Sequence, residues 1–282
     1  MLEARVFCSA RPGPHLLILG GVHGDEPCGT IALTRLAQEL SSGALPLLAG
    51  RVTLIPQANP AAGAANTRYT EANLNRVMRP HENPHHYEQR LANSICSYIG
   101  GADLLLDLHA VTSRSVPFTF LDWDTPQTRS WLQALGLPYA LSGWDKLYPP
   151  DKDSSSSAAY AVGQGKTAVV VECGQKTDPA SAEVAYTMAR ASLAYHGLTA
   201  PYNHAVQPTR ALRLTSIGWK ERDGQLLQPF TNFEAVRQGQ PLARYDDGTV
   251  LQADVDGYII MPWPTARIGE EWYYLAVDAH AL

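Results

Sequence analysis

The stretch that most constrains the fold is an apolar run at residues 16–19, followed directly by the sequence GGVHGDE at residues 20–26. A short continuous apolar run of this kind is typical of a strand that is buried on both faces. The glycines end the strand, after which His23 and Glu26 present an imidazole and a carboxylate close together. Both groups are common zinc ligands, so the stretch indicates a metal site at the end of a buried strand.

Up to about residue 200, apolar strand-like runs alternate with amphipathic stretches that are typical of helices. The strand candidates are residues 16–19, 52–55, 104–108, 118–121 and 168–172, and the helix candidates are residues 30–40, 87–99, 128–135 and 180–195. This alternation predicts an α/β fold, in which a mostly parallel or mixed sheet carries helices on both faces. Ligand sites in such sheets form beyond the carboxyl ends of the strands, which is where the candidate His, Glu and Asn residues fall.

After about residue 201 the pattern changes to short alternating runs separated by turns that contain glycine. Regularly spaced short strands of this kind predict a small all-β C-terminal domain. We therefore expect a catalytic domain at residues 1–203 and a β-rich domain at residues 204–282. Residues 151–159 include a row of serines at 154–157, and we interpret them as a mobile loop and a candidate lid.

Charge and cysteine content exclude several classes of protein. The 22 basic and 27 acidic residues give a net charge of −5, which argues against nucleic acid as a partner. No apolar run approaches the length of a membrane span, so we expect no membrane partner. Cysteines 8, 28, 96 and 173 are scattered without CxxC spacing, which favours reduced thiols in a cytoplasmic protein over disulfides or a thiolate site.

A third zinc ligand is offered by His109, which follows the apolar run at residues 104–108. Catalytic zinc commonly takes three His or Glu ligands and keeps a fourth position for water, whose pKa falls to about 7. The alternative is that His23 is an ordinary turn histidine and that Glu26 only interacts favourably with the N-terminus of a helix. We favour the metal site formed by His23, Glu26 and His109.

Glu172 ends the apolar run at residues 168–171, where burial would raise the pKa of its carboxyl group. A carboxylate adjusted in this way suits a general base that takes a proton from water and returns it to a leaving amine. The alternative is a strand-end carboxylate that pairs with a nearby arginine.

Arg68, Asn75 and Arg76 are the candidate substrate-binding residues. Arginine binds carboxylates through two parallel hydrogen bonds, so Asn75 and Arg76 are predicted to bind a substrate carboxylate. Arg68 is predicted to stabilise the negative charge that develops on the attacked carbonyl oxygen. Surface loops are also rich in Asn and Arg, so these motifs alone are only moderately specific.

The order of motifs GGVHGDE, TRY, NLNR, DLH, VECG and GEEWYY resembles the succinylglutamate desuccinylase/aspartoacylase family of zinc carboxypeptidase-like hydrolases. The similarity extends over nearly the whole chain. It implies one Zn²⁺ ion per chain on His23, Glu26 and His109, with Glu172 as the base. It also implies that Arg68 contacts the scissile carbonyl, and that Asn75 and Arg76 bind the substrate carboxylate.

The same resemblance identifies residues 256–274 as part of the family's C-terminal β-domain. It implies that Tyr273 reaches the mouth of the active site, with core packing as the alternative. The chain departs from the family at Asn73, where an aspartate usually accepts a hydrogen bond from the first zinc histidine. A neutral amide there predicts a less basic His23 and weaker metal retention. A further arginine of aspartoacylase-like enzymes is missing, with only Lys166 nearby, which puts recognition of a second substrate carboxylate in doubt.

The sequence therefore predicts a zinc-dependent amidohydrolase, a deacylase that cleaves an N-acyl amino acid or a similar small amide with a free carboxylate. A zinc carboxypeptidase acting on small peptides would use the same residues and is the main alternative. A non-catalytic binding protein is the other alternative. The acyl group, the amino acid and the oligomeric state, including a homo-oligomer, stay open at this stage.

Overall fold

The apolar runs and amphipathic stretches form the strands and helices of one layered structure. The computed structural model describes residues 2–148 and 155–279. Within them the α-helices are α1 Pro27–Ser42, α2 Pro60–Ala65, α3 Tyr87–Gly100, α4 Pro126–Leu135, α5 Ser157–Gly163 and α6 Ala180–Tyr195. Short 3₁₀ turns occupy Leu74–Arg76 and Trp144–Lys146.

Strands make up most of the remaining regular structure. Up to residue 175 they are β1 Arg5–Cys8, β2 His15–Gly20, β3 Arg51–Ile55, β4 Leu104–Val111, β5 Phe118–Phe120, β6 Tyr139–Ser142 and β7 Thr167–Gln175. After it they are β8 Arg210–Trp219, β9 Gly224–Leu226, β10 Glu234–Val236, β11 Pro241–Tyr245, β12 Val250–Gln252, β13 Gly257–Ile260 and β14 Glu271–Asp278. All of the strand and helix candidates named from the sequence overlap an observed element of the same type.

The large sheet has the strand order β1-β3-β2-β4-β7-β5-β6-β8-β14-β13-β10. Its centre is parallel, because β2 pairs in parallel with both β3 and β4, and β4 pairs in parallel with β7. Antiparallel strands lie at both edges, so the sheet is mixed. The carboxyl ends of β2, β4 and β7 therefore meet at the same edge, which is the arrangement needed to bring their side chains together.

Helices cover both faces of this sheet, as the continuous apolar run in β2 predicts. Leu16 and Ile18 pack with α1 and α4 residues in one buried cluster, whereas Leu17 and Leu19 pack with α3 residues in another. All four side chains are fully buried. A strand with two buried faces needs apolar residues at every position, and this explains why the run does not alternate.

The strands after residue 203 do not form a wholly separate sheet. β8 pairs in parallel with β6, and β14, β13 and β10 continue the large sheet from there. Only β9, β11 and β12 form the small antiparallel sheet that accompanies the α/β unit. The α/β class with an additional small β-sheet is confirmed, while the proposed division between residues 203 and 204 stays a prediction.

Three further expectations, on membrane spans, cysteines and the candidate lid, concern the described part of the chain. None of the helices there combines the length and apolar character that crossing a bilayer requires. All four cysteines lie in that part, and each is a free thiol, buried except at Cys8. Within the candidate lid, residues 151–154 lie outside the described residues, whereas α5 begins at Ser157.

Candidate metal centre and active-site cleft

The turn after β2 places His23 and Glu26 beside the end of the sheet. The chain reverses at Gly21, whose φ of 60° lies in the left-handed region that glycine tolerates. Gly24 packs against the backbone of α2 so closely that an added Cβ would lie 2.1 Å from the carbonyl carbon of Ala62. The turn is closed by a hydrogen bond from the Glu26 N–H to the His23 carbonyl oxygen at 3.3 Å. These contacts fix the spacing between imidazole and carboxylate.

His23, Glu26 and His109 meet in one buried cluster. The Nδ1 atom of His23 lies 2.8 Å from Glu26 Oε1, and the Nδ1 atom of His109 lies 3.0 Å from Glu26 Oε2. One potential ligand atom from each residue falls within 4.8 Å of the others, and each residue is at most 3% exposed. Two imidazole nitrogens and a carboxylate this close together form a donor set that fits zinc.

The outer nitrogen of each imidazole faces a different acceptor. His23 Nε2 lies 3.1 Å from Asn73 Oδ1, as expected if the amide replaces the usual aspartate. His109 Nε2 lies 3.1 Å from Asp107 Oδ2, a close charge contact without the alignment of a hydrogen bond. The Ser157 hydroxyl donates a hydrogen bond to the same Asp107 oxygen. The contact at Nε2 fixes the orientation of each ring, so that its Nδ1 atom faces Glu26.

Asp107 is a residue of the site that was not among those predicted from the sequence. It is fully buried on β4, two positions before His109. Because side chains two apart on a strand point to the same face, the motif DLH itself could have indicated this contact.

Electrostatics favour the ligand form of the carboxylate. Burial would raise the pKa of Glu26, but His23 and His109 hold it well below its usual value. Burial and nearby Arg68 lower the pKa of His23 to about 4. For His109 the effect of burial is outweighed by Asp107 and Glu26, which raise its pKa well above the usual value. Glu26 is therefore ionised at neutral pH, and metal binding would release a proton from His109.

Glu172 lies beside the cluster on the neighbouring strand. It is paired in register with His109 across β4 and β7. Its Oε2 atom is buried and has no hydrogen-bond partner among the described residues. Burial raises the pKa of this carboxyl group to about 8, with Glu26 and Asp107 adding to the effect and His109 and Arg68 opposing it. The arrangement provides a carboxyl group that can take up a proton near neutral pH.

Arg68 lies against the metal cluster. Its Nη1 atom donates a hydrogen bond to Glu26 Oε1 at 2.8 Å. Its guanidinium carbon lies 5.5 Å from the centroid of the Trp263 ring, at the outer wall of the cleft. The Arg68 guanidinium therefore lies next to the proposed ligands, where it can interact with a negatively charged oxygen formed there.

Asn75 and Arg76 lie on the 3₁₀ turn at the cleft wall. The Asn75 side-chain oxygen accepts a hydrogen bond from the Ser157 N–H at 3.1 Å, so its amide NH₂ is the group left to donate. Arg76 Nη2 donates to the Tyr148 hydroxyl at 2.9 Å and lies 3.4 Å from Glu271 Oε1. Burial would lower the pKa of Arg76, but Tyr148 and Glu271 hold it above its usual value. The predicted carboxylate-binding arginine is thus already paired with an acid of β14.

The structure does not bring Tyr273 into the cleft. Its ring packs over Gly218 in the buried cluster of the C-terminal strands, which is the core-packing alternative. Its neighbour Tyr274 lines the cleft together with Glu271, and the Tyr274 hydroxyl lies 3.1 Å from that of Tyr148. A register shift between Glu271 and Tyr273 changes the alternation of side chains along β14. This irregularity lets Glu271 and Tyr274, three positions apart on one strand, line the same cleft.

The cleft has two lobes that share Arg68, Arg76, Trp144, Glu172 and Met261. The first, which we call the Asn75 lobe, is also lined by His23, Asn75, His109, Phe120, Asp122, Trp123, Ser156 and Val170. The second, which we call the Ser113 lobe, is also lined by Glu26, Ala110, Val111, Thr112, Ser113, Pro262, Trp263, Glu271 and Tyr274. Lys166 lines neither lobe, because it precedes β7 at the end of that strand opposite Glu172.

The sequence is similar to a known protein family and to named members of it. The sequence model of the family described as Succinylglutamate desuccinylase/Aspartoacylase catalytic domain matches residues 12–198. A succinylglutamate desuccinylase of Burkholderia thailandensis is 27% identical over 305 residues, which cover 100% of this chain and 86% of the relative. An N-alpha-acetyl-L-2,4-diaminobutyric acid deacetylase of Halomonas elongata is 32% identical over 178 residues, covering 57% of this chain and 48% of the relative.

Among solved structures, the product-bound ectoine utilization protein EutE (DoeB) from Ruegeria pomeroyi superimposes with a TM-score of 0.81. The match covers 98% of this chain and 88% of that chain at 22% sequence identity. At this identity the likeness supports the fold alone.

Proposed function

The chain belongs to the succinylglutamate desuccinylase/aspartoacylase family, and on this premise we propose that it is a zinc-dependent deacylase that hydrolyses a small N-acyl amino acid. One observation carries the proposal. The potential ligand atoms of His23, Glu26 and His109 lie within 4.8 Å of one another, beside Glu172, whose buried Oε2 atom has no hydrogen-bond partner in the described part of the chain. The relatives named as a desuccinylase and a deacetylase both remove an acyl group, which supports the same class of reaction.

His23, Glu26 and His109 are the residues that would hold the metal. A zinc ion bound there would lower the pKa of a water molecule to about 7 and polarise the scissile carbonyl group. Asn73 and Asp107 contact the Nε2 atoms of the two imidazole rings and so would leave their Nδ1 atoms available to hold a metal.

Glu172 is the proposed general base and acid. Its Oε2 atom, which forms no hydrogen bond to any described residue, can accept a proton from the attacking water and later deliver that proton to the leaving nitrogen. A raised pKa serves both steps, because the group must hold the proton between attack and bond cleavage. Arg68 can donate a hydrogen bond to the carbonyl oxygen as it becomes negative, since only its Nη1 atom is used by Glu26.

Asn75 and Arg76 are the proposed binding site for the substrate carboxylate. An arginine has five N–H donors in a fixed plane, so Arg76 can keep its bond to Tyr148 while it binds a carboxylate. The ion pair with Glu271 limits how much negative charge this arginine can accept. The arrangement therefore favours a substrate with one carboxylate near Arg76 over a substrate with two.

The experiment that tests the proposal is metal removal and restoration during hydrolysis of a substrate panel. N-acetyl, N-formyl and N-succinyl amino acids and dipeptides are incubated with the purified protein. We expect hydrolysis of an N-acyl amino acid, its loss with a chelator and its recovery with zinc. Preferred cleavage of dipeptides would instead indicate a carboxypeptidase. A protein that binds zinc but hydrolyses none of these compounds would contradict the proposal.

A further inference from the structure

The Ser113 hydroxyl is a buried polar group that the proposed mechanism does not use. Ser113 is 7% exposed, and its Oγ atom has no hydrogen-bond partner among the described residues. It lines the Ser113 lobe two residues after the end of β4. A buried hydroxyl without a hydrogen-bond partner is unfavourable, so a bound group that supplies the missing hydrogen bond would be favoured there.

Ser113 lines only one of the two lobes that meet at the proposed catalytic residues Glu172 and Arg68. Both lobes contain Glu172 and Arg68, so a scissile amide at these residues would extend one part of the substrate into each lobe. Asn75 belongs only to the Asn75 lobe, which would take the part with the carboxylate. The acyl group then enters the Ser113 lobe, an assignment that rests on the proposed function.

The chemistry of the Ser113 lobe limits the acyl group. Val111, Met261, Pro262 and Trp263 give it an apolar wall, which suits a short carbon chain. Its cationic lining residues are Arg68 and Arg76, and each is paired with a carboxylate of the same lobe, Glu26 and Glu271 respectively. A second carboxylate at the end of an acyl group would therefore meet no unpaired cation among the residues that line this lobe.

We infer that Ser113 determines the acyl specificity of the enzyme. The Ser113 lobe accepts a short uncharged acyl group that carries a hydroxyl or another hydrogen-bonding atom beyond its carbonyl carbon. The Ser113 Oγ atom forms the hydrogen bond to that atom and discriminates against an alkyl chain of the same size.

The test compares matched acyl groups on the amino acid that the protein hydrolyses best as its N-acetyl derivative. N-glycolyl is paired with N-propionyl, and N-(3-hydroxypropionyl) with N-butyryl, because each pair exchanges a hydroxyl for a methyl group. We expect wild-type kcat/KM to favour the hydroxyl member of at least one pair by about three- to tenfold, the effect of one hydrogen bond. Ser113→Ala should abolish that preference, and the N-succinyl derivative should be a poor substrate for both proteins.

Ser192→Ala is the matched control. Ser192 is also a buried serine, but its Oγ atom accepts a hydrogen bond from the Trp131 indole at 3.0 Å in the core under α4 and α6. Ser192→Ala should lower the Tm because it leaves the indole N–H unpaired, and it should not change the acyl preference. Ser113→Ala should leave the Tm unchanged or raise it, since the hydroxyl it removes forms no hydrogen bond within residues 2–148 and 155–279.

The outcomes separate this inference from the proposed function. If zinc-dependent hydrolysis occurs but neither pair shows a preference, or if Ser113→Ala retains the preference, the role of Ser113 is contradicted and the deacylase proposal stands. If the zinc-loaded wild-type protein hydrolyses no N-acyl amino acid, both are contradicted.

Discussion

Glu172 is a buried carboxyl group at a proposed metal site, and it is the residue on which the proposed proton transfer depends. It lies next to a proposed cation site, and burial raises its pKa to about 8 in the metal-free protein. Glutamine has nearly the same shape but cannot carry a proton between the water and the leaving nitrogen. Glu172→Gln should therefore bind zinc as the wild type does, by metal analysis, while kcat falls by about 10²–10⁴-fold. Near-normal turnover by the zinc-loaded variant would remove Glu172 from the role of base.

The same carboxyl group should make the stability of the metal-free protein depend on pH. Its folded-state pKa of about 8 lies above the ordinary 4.5, so its contribution is fully present below pH 4.5 and is lost as the pH rises through 8. Over that window the unfolding free energy should fall by up to about 1.4 kcal/mol per pH unit because of this group. Denaturant unfolding in a chelator should show a shallower fall for Glu172→Gln, and identical slopes would contradict the burial effect.

At the level of elements, the irregularity in β14 decides which aromatic side chain reaches the cleft. Tyr274→Phe removes the hydroxyl that lies 3.1 Å from Tyr148, next to the Arg76–Glu271 pair. Because Tyr148 accepts a hydrogen bond from Arg76 Nη2, the loss should disturb the arginine proposed to bind the substrate carboxylate. We expect KM for carboxylate-bearing substrates to rise by about three- to tenfold, as for one lost hydrogen bond. Tyr273→Phe is the control and should leave KM unchanged, because that ring packs in the core of the C-terminal strands. Equal effects of the two substitutions would contradict the assignment.

The sequence predicted those elements whose signals are local. The apolar runs of β2, β4 and β7 predicted buried strands, and the residues at their ends predicted that His23, Glu26, His109 and Glu172 would lie together. Two features depend on pairing between distant segments and were not predicted. They are the addition of β8 to β6, and the contact between Arg76 and Glu271. Neither has a local pattern, because strand order and register are set by tertiary packing.

On the scale of the whole molecule, the metal cluster joins segments that are far apart in the sequence. His23 and Glu26 follow β2, whereas His109 lies on β4, and no ligand set would exist in an unfolded chain. A metal that binds only the folded state stabilises it by about 2.7 kcal/mol when its free concentration is 100 times Kd. Zinc should therefore raise the Tm of the chelator-treated protein by roughly 5–10 °C in calorimetry.

His109→Ala is the variant that checks this thermal shift. It removes one of the three proposed ligands and should lose most of the zinc-dependent increase in Tm. An equal increase in the variant and the wild type would mean that zinc stabilises the protein at some other place.

The parallel pairing of β6 with β8 has a consequence for any shortened form of this protein. A polypeptide that stopped before Arg210 would leave the N–H and C=O groups of β6 facing solvent along one side. A strand with one unpaired side can form backbone hydrogen bonds with another molecule, so such a fragment should self-associate rather than remain a monomeric hydrolase.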